Sequence, residues 1–332
     1  MHRRRFSATQ PLAPAAVEPI LPPKTLGPPP RRAAARVRDL LLRGVALTGL
    51  DLAGAELSGW DLRGQDLSHC DLQGALLIGC RLDDACLDHA GLDDAVLANA
   101  SLHGASMRHA SITGADLGGA DLSWTALTRA NLRGVRAASA CFDDARGGAP
   151  CFASADLRGA TFARVGFSAA DFRDAALEGS SFVAARLDDA HLEAADLTGA
   201  RLDGACLERA HACRALFAGA SLRDVEALWV NLEEARLEGA CLDGIRLHEA
   251  RLAAAHAPAA SFVRASLRGA KMQGIDARGV SFRDADLRGA VLRGANLRGA
   301  DLEGAHVALE ELRRASVIAG ARIGSALRQR RR

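Results

Sequence analysis

From Leu42 to Leu312 every fifth residue is Leu, Phe, Met, Ile or Val, apart from Ala137, Gly147, Ala212, Ala227, Ala257 and Ala277. A second column, two residues earlier, is mostly Ala. A period of five excludes an α-helix: at about 100° per residue, five steps advance roughly 140°, and the leucines would spread over every face. In an extended segment the Ala and Leu of Ala-x-Leu share a face, but an odd period would throw the next pair to the other side. The chain must therefore turn once per repeat. The remaining two positions suit a corner needing positive φ, being rich in Gly, Asp, Asn and Arg, with Gly44, Gly49, Gly54, Gly59 and Gly64 in succession. Short bridge and corner, repeated, give a coil whose turns stack about 4.8 Å apart.

The motif stands as Ala-Asp-Leu-Gly-Gly at 115–119, Ala-Asp-Leu-Arg-Gly at 155–159 and Ala-Asn-Leu-Arg-Gly at 295–299. It resembles the pentapeptide-repeat family. The resemblance implies an all-β solenoid, a right-handed quadrilateral β-helix with four repeats per 20-residue coil. Here that means about 13 to 14 coils and a rod of roughly 65 Å. Phe142, Phe162, Phe182, Phe262 and Phe282 share one 20-residue register and Phe152 and Phe172 the opposite one, as stacked rings in a narrow tube would. A ten-residue coil fits the same seven positions.

Four segments follow. Residues 1–30, with prolines at 11, 14, 19, 22, 23, 28, 29 and 30, read as a disordered basic tail. Residues 31–43 read as an N-terminal capping helix and 44–306 as the repeat. In 307–332 a helix is expected over Val307–Ala315. Beyond it, Val317 and Leu327 keep the phase and Arg322 breaks it, leaving a last ragged coil, a dimerising helix or a basic tail open. Arg3-Arg4-Arg5-Phe6 loosely matches an export signal, but Gln10, Pro11 and Pro14 interrupt the apolar core such a signal needs.

The formal charge of +2 hides a partition. Residues 1–40 carry eight basic and two acidic residues, and 311–332 seven and one; the body between has 27 and 37, or −10. Residues 41–125 hold four Arg against twelve Asp and Glu, whereas Arg278, Arg283, Arg288, Arg293 and Arg298 follow successive core positions. Eight cysteines, no two of them 20 apart, fit a reduced cytoplasm better than a disulfide framework. His69, His89 and His109 fall in one outward column, and His191 and His211 in another beside Asp171. A flat imidazole ladder makes a poor tetrahedral site, so no metal or other cofactor is assigned. Catalysis lacks a concave pocket holding a nucleophile beside its base, and no enzyme is expected.

Two function classes remain. One is a non-enzymatic protein-binding scaffold using flat faces or end caps. Its candidate surface includes Leu228 and Trp229, where Ala227 replaces the core Leu; Trp229 could point outward or tuck inward. Leu76, Ile78 and Val96 form a smaller patch. The other class is implied by the resemblance: some pentapeptide-repeat proteins mimic DNA, dimerise through a C-terminal helix and bind DNA gyrase or topoisomerase IV. Asp83, Asp84, Asp88, Asp93 and Asp94 are the acidic candidates for that role, while the Arg belt and basic tails depart from a uniform mimic. A secretion-associated or effector module is a third reading.

Overall fold

In the computed structural model, residues 30–323 are described; the Pro-rich tail and residues 324–332 lie outside them. Regular elements are few. Helix α1 spans Pro30–Leu42, strand β1 Asp301–Leu302, helix α2 Leu309–Arg314 and strand β2 Arg322–Ile323. Between α1 and β1 the chain pairs only through isolated parallel bridges, each joining a residue to the one 20 further on, as in Asp51↔Asp71, Glu56↔Leu76, Asp61↔Arg81 and Asp66↔Cys86. The repeat distance is therefore 20 residues, and the ten-residue alternative falls.

Four of the five amides in each repeat find backbone acceptors. Around Leu82, its own N–H donates to Ser101 O (2.6 Å), that of Asp84 to His103 O (2.8 Å), that of Ala85 back to Leu82 O (3.0 Å) and that of Cys86 to Gln65 O (2.9 Å). Three bonds tie neighbouring coils and one closes the corner. The corner residue, two after the core position, holds the left-handed conformation, with φ of 57° at Asp84, 58° at Trp229 and 68° at Gly49. Glycine is the cheap choice there, yet Asp, His, Arg, Ala and Trp also occupy corners, because three bonds per repeat outweigh a cost of about 1 kcal/mol for a non-glycine residue.

The two inward columns fill the interior. Phe142, Phe162 and Phe182 stack at 4.8 and 4.6 Å, nearly parallel, and Phe152 and Phe172 do the same at 4.9 Å. Between the columns the rings meet edge to face at 5.5 to 5.9 Å. Cys70 and Cys80 are buried in the small-residue column and donate their thiols to Leu47 O and Leu57 O.

Both ends depart from strict phase. Leu42, which begins the sequence pattern, ends α1 and is 81% exposed; Val37 of that helix is buried against the first coil instead. At the other end α2, with Glu310 and Glu311 in its first turn and Arg313 and Arg314 in its last, complements its own dipole. It occupies one side of the final coil and keeps Leu312 in the core. Glu311 Oε2 accepts the Leu292 amide at 3.2 Å, a donor the repeat would otherwise have paired with backbone. The helix also adds one residue: pairing resumes as Asn296↔Val317 and Asp301↔Arg322, 21 apart. Val317 thus sits at a bridge position rather than in the core, Ile318 and Ile323 pack inward, and Arg322 takes a bridge position without breaking the pairing.

Candidate interaction surface

Along each repeat the amide just after the core position has no backbone partner, and at some repeats a carboxylate fills the vacancy, in one of two ways. Where Asp precedes Leu, its own side chain folds over: Ala53 N–H donates to Asp51 Oδ1 (3.2 Å), Gly118 to Asp116 (3.0 Å) and Thr198 to Asp196 (2.9 Å). Elsewhere an Asp at the same position of the preceding coil accepts it: Arg108 N–H donates to Asp88 Oδ1 (2.9 Å), Thr113 N–H to Asp93 (2.8 Å) and Ala163 N–H to Asp143 (2.9 Å). An Asp in the Ala-Asp-Leu motif is thus a backbone acceptor first and a surface charge second.

The five acidic candidates are therefore not alike. Asp83, Asp88 and Asp93 accept the hydroxyls of Ser101, Ser106 and Ser111 on the next coil, so their carboxylates are committed to the stack. Asp84 and Asp94 are exposed, but ten residues apart in a 20-residue coil they lie at opposite corners. The five do not form one surface.

The arginine belt likewise encircles the coil instead of marking a face. Arg278 forks onto Asp276 (2.8 and 2.7 Å) and Arg288 onto Asp286; Arg283 reaches Asp301 (3.4 Å) and Glu303 (3.3 Å). Only Arg293 and Arg298 of the belt form no ion pair among the described residues. The fork of Arg288 holds the Asp286 carboxyl down at about 2, and that of Arg63 does the same to Asp61.

Apolar groups are more telling. Trp229 stands at a corner, points outward and is 53% exposed; Leu228 beside it is half-buried, and Ala227 and Val230 are buried. Leu76 and Ile78 are exposed on one side, with Val96, the bridge partner of Leu76, half-buried. The residue the sequence reading passed over is Trp124, also 53% exposed at a corner, with the Arg146 guanidinium 5.9 Å from its ring. Its signal was available: a Trp in a corner position otherwise held by small or polar residues.

His69, His89 and His109 stack at 4.9 and 5.0 Å, and His191 and His211 at 5.1 Å. No group of three or more His, Cys, Asp or Glu among the described residues is placed to hold a metal. No described helix is long and apolar enough to cross a membrane.

Comparison with known proteins locates the repeat. The profile of pentapeptide repeats matches eight copies, at 55–91, 92–128, 115–146, 152–183, 177–211, 214–248, 245–284 and 278–306. Among solved structures the chain is similar to HetL of the cyanobacterium Nostoc sp. strain PCC 7120, a pentapeptide repeat protein involved in heterocyst differentiation regulation. Identity is 30% over 65% of this chain and 86% of that one, with a TM-score of 0.33. A trypsin-treated form of QnrB1, a plasmid-mediated fluoroquinolone resistance protein, is 18% identical over 66% and 91%, TM-score 0.31. A protein of the Arabidopsis thaliana thylakoid lumen is 26% identical over 43% and 72%, TM-score 0.16. No curated protein matches the chain. With eight copies of the motif between residues 55 and 306, in the frame that carries the core columns and the bridges, this chain belongs to the pentapeptide-repeat family.

Proposed function

We propose that the protein is a non-enzymatic scaffold, a quadrilateral right-handed β-helix that acts in the cytoplasm by binding another protein through its outer surface. The observation that carries this reading is Trp229, a large ring left half in water at a corner beside Leu228. Burying so much apolar surface in an interface gains about 25 cal/mol per Å², and exposed Trp residues are preferred interface anchors. Such a corner has no structural need of Trp, since Gly or Asp serves elsewhere. The test compares wild type with a Leu228→Ser, Trp229→Ser double variant as bait for proteins of the native host, with isotope-labelled quantification. A prey enriched by wild type and lost from the variant supports the scaffold reading. Identical prey profiles, with circular dichroism unchanged, would remove Leu228 and Trp229 from it.

A second reading, mimicry of DNA toward a type II topoisomerase, rests on the acidic excess of residues 41–125. The unpaired Asp84 and Asp94 are its best candidates, although they face opposite ways. Gyrase supercoiling with and without the protein tests it: an effect lost on reversing Asp84 and Asp94 to Lys would favour mimicry, and no effect would end it. A homodimer through residues 307–332 belongs with this reading, and light scattering decides it.

A further inference from the structure

Repeat 145–149 breaks the pattern in a way that opens a groove. Gly147 takes the core position but is only half-buried, and its backbone lies close against the coil before it, where a side chain would have no room. A Cβ placed on Gly147 would lie 2.5 Å from Thr128 N and 2.6 Å from Leu127 C. The corner at Gly148 and Ala149 becomes a bend rather than the regular turn. The result is an open groove of about 470 Å³ lined by His109, Thr128, Arg129, Gly148, Ala149 and Ser168, among others.

Its chemistry is one-sided. Where the amide after the core position is paired, it donates to the side-chain oxygen of an Asp or Asn two residues back or of an Asp one coil back. At Gly148 those two places hold Arg146 and Thr128; at Thr128 they hold Ala126 and Arg108; at Ser168, Gly166 and Gly148. Three successive coils therefore present this N–H on one corner with no protein acceptor among the described residues, as do the five coils after them at Asp188, Glu208, Leu228, His248 and Arg268; what sets these three apart is that they open into the groove. Arg129 lines the groove and makes no ion pair among the described residues; Arg146, just before Gly147, also makes none and lies over the Trp124 ring, and His109 ends its stack at the groove. Nearby acids are already committed, Asp143 to the Ala163 amide and Asp144 to the fork of Arg164.

We infer that this groove binds a short acidic segment of a partner protein, whose Asp or Glu carboxylates occupy the acceptor places that the motif leaves empty at Thr128, Gly148 and Ser168. Backbone N–H groups and guanidinium forks are the donors carboxylates prefer, and Arg129 stands at the groove to supply the fork. A nucleic acid fits less well. The cationic stretch covers about three coils, on the order of 15 Å, and is bounded on the same corner by Asp88 above and by Asp188, Asp189 and Glu208 below. Each of those acids is held by an arginine, Asp88 by Arg108, Asp188 by Arg186, and Asp189 and Glu208 by Arg209, so on either side of the groove the corner offers a polyanion no free cation, whereas a peptide of four or five residues fits within the groove.

The inference rests on the scaffold reading but uses a different stretch of the same corner, Leu228 and Trp229 lying three coils beyond Ser168, so the two can fail separately. Fluorescein-labelled pentaglutamate, titrated into the full-length protein at low salt and followed by anisotropy, is the probe, with pentalysine and a ten-nucleotide deoxythymidine strand beside it. Binding of pentaglutamate alone is expected, about tenfold or more weaker in an Arg129→Gln, Arg146→Gln variant and unchanged in the Leu228→Ser, Trp229→Ser variant. In amide-resolved NMR the Thr128, Gly148 and Ser168 resonances should shift on titration, a readout that needs no variant. No binding, equal binding by the glutamine variant, shifts confined to other amides, or equal affinity for the deoxythymidine strand would each overturn it. Loss of pentaglutamate binding with Leu228-dependent and Trp229-dependent capture intact would leave the scaffold standing.

Discussion

Removing the ring of Phe162 should cut the protein near its middle. Phe162 is fully buried, stacked 4.8 Å from Phe142 and 4.6 Å from Phe182, with the edges of Phe152 and Phe172 at 5.9 and 5.8 Å. Collapse into the space left by Phe162→Ala is blocked because the backbone on both sides is held by coil-to-coil bonds, Phe142 N–H to Thr161 O and Phe162 N–H to Ser181 O, both 2.7 Å. A Phe→Ala change in a core costs about 3 to 5 kcal/mol, and each lost aromatic pair adds about 0.5 to 1.5 kcal/mol beyond its area. The expected loss lies at the upper end of that range, about 4 to 5 kcal/mol. Because each coil contacts only its neighbours, the loss is local, and the halves on either side should unfold less cooperatively. Guanidinium unfolding followed by circular dichroism should show a lower midpoint and a shallower transition. Hydrogen exchange should speed up first at amides of residues 142–182. Phe162→Leu, which places there the side chain found at Leu202 in the same column, refills part of the space and should cost less than Phe162→Ala. Arg158→Ala, on the outer surface, should leave the midpoint close to wild type. A midpoint for Phe162→Ala no lower than that for Arg158→Ala would refute the assignment of inward and outward positions.

The committed carboxylates make a second contrast. Asp88→Ala leaves the Arg108 amide and the Ser106 hydroxyl without their acceptor and should cost about 1 to 3 kcal/mol in denaturant melts, while Asp84→Ala, at an unpaired corner, should be nearly silent. Acid should unfold the stack in a defined window: Asp61 and Asp286, held at about 2 by Arg63 and Arg288, contribute stability fully above the unfolded carboxylate value of about 3.9. That contribution fades as pH falls from about 4 toward 2, visible as a falling melting temperature. Cys80, buried and pushed up to about 11, should resist a thiol reagent at pH 8 until the protein is denatured. Truncation after Ala305 removes α2 and the last half coil; if these cap the stack, melting temperature falls and aggregation rises, whereas loss of a dimer contact would halve the mass by light scattering.

Periodicity carried most of the architecture. Because the core columns never slip between Leu47 and Val307, the inward positions of Phe162 or Leu202 could be read directly, as could the corners at Gly49 or Asp84. The candidate surface was harder to read, since a side chain's chemistry does not say which vacancy it fills. Asp88 and Asp84 are the same residue four apart, yet one completes a backbone bond and the other faces water. Trp124 was overlooked because the surrounding repeat is regular and only its exposed corner makes it notable.

The repeat alone dictates one turn per five residues, the buried Ala and Leu columns and the rejection of a helix, because those follow from side-chain period and backbone sterics. Three matters needed the folded chain. A coil of 20 rather than ten residues was decided by which bridges form. The extra residue at α2, which moves Val317 outward and Ile318 inward, came from a helix replacing one side of a coil. The groove at Gly147 opened because a missing side chain lets the backbone close on the coil before it. Each depends on what lies one coil away, 20 residues distant along the chain but about 4.8 Å away in space, and local sequence carries no record of that neighbour.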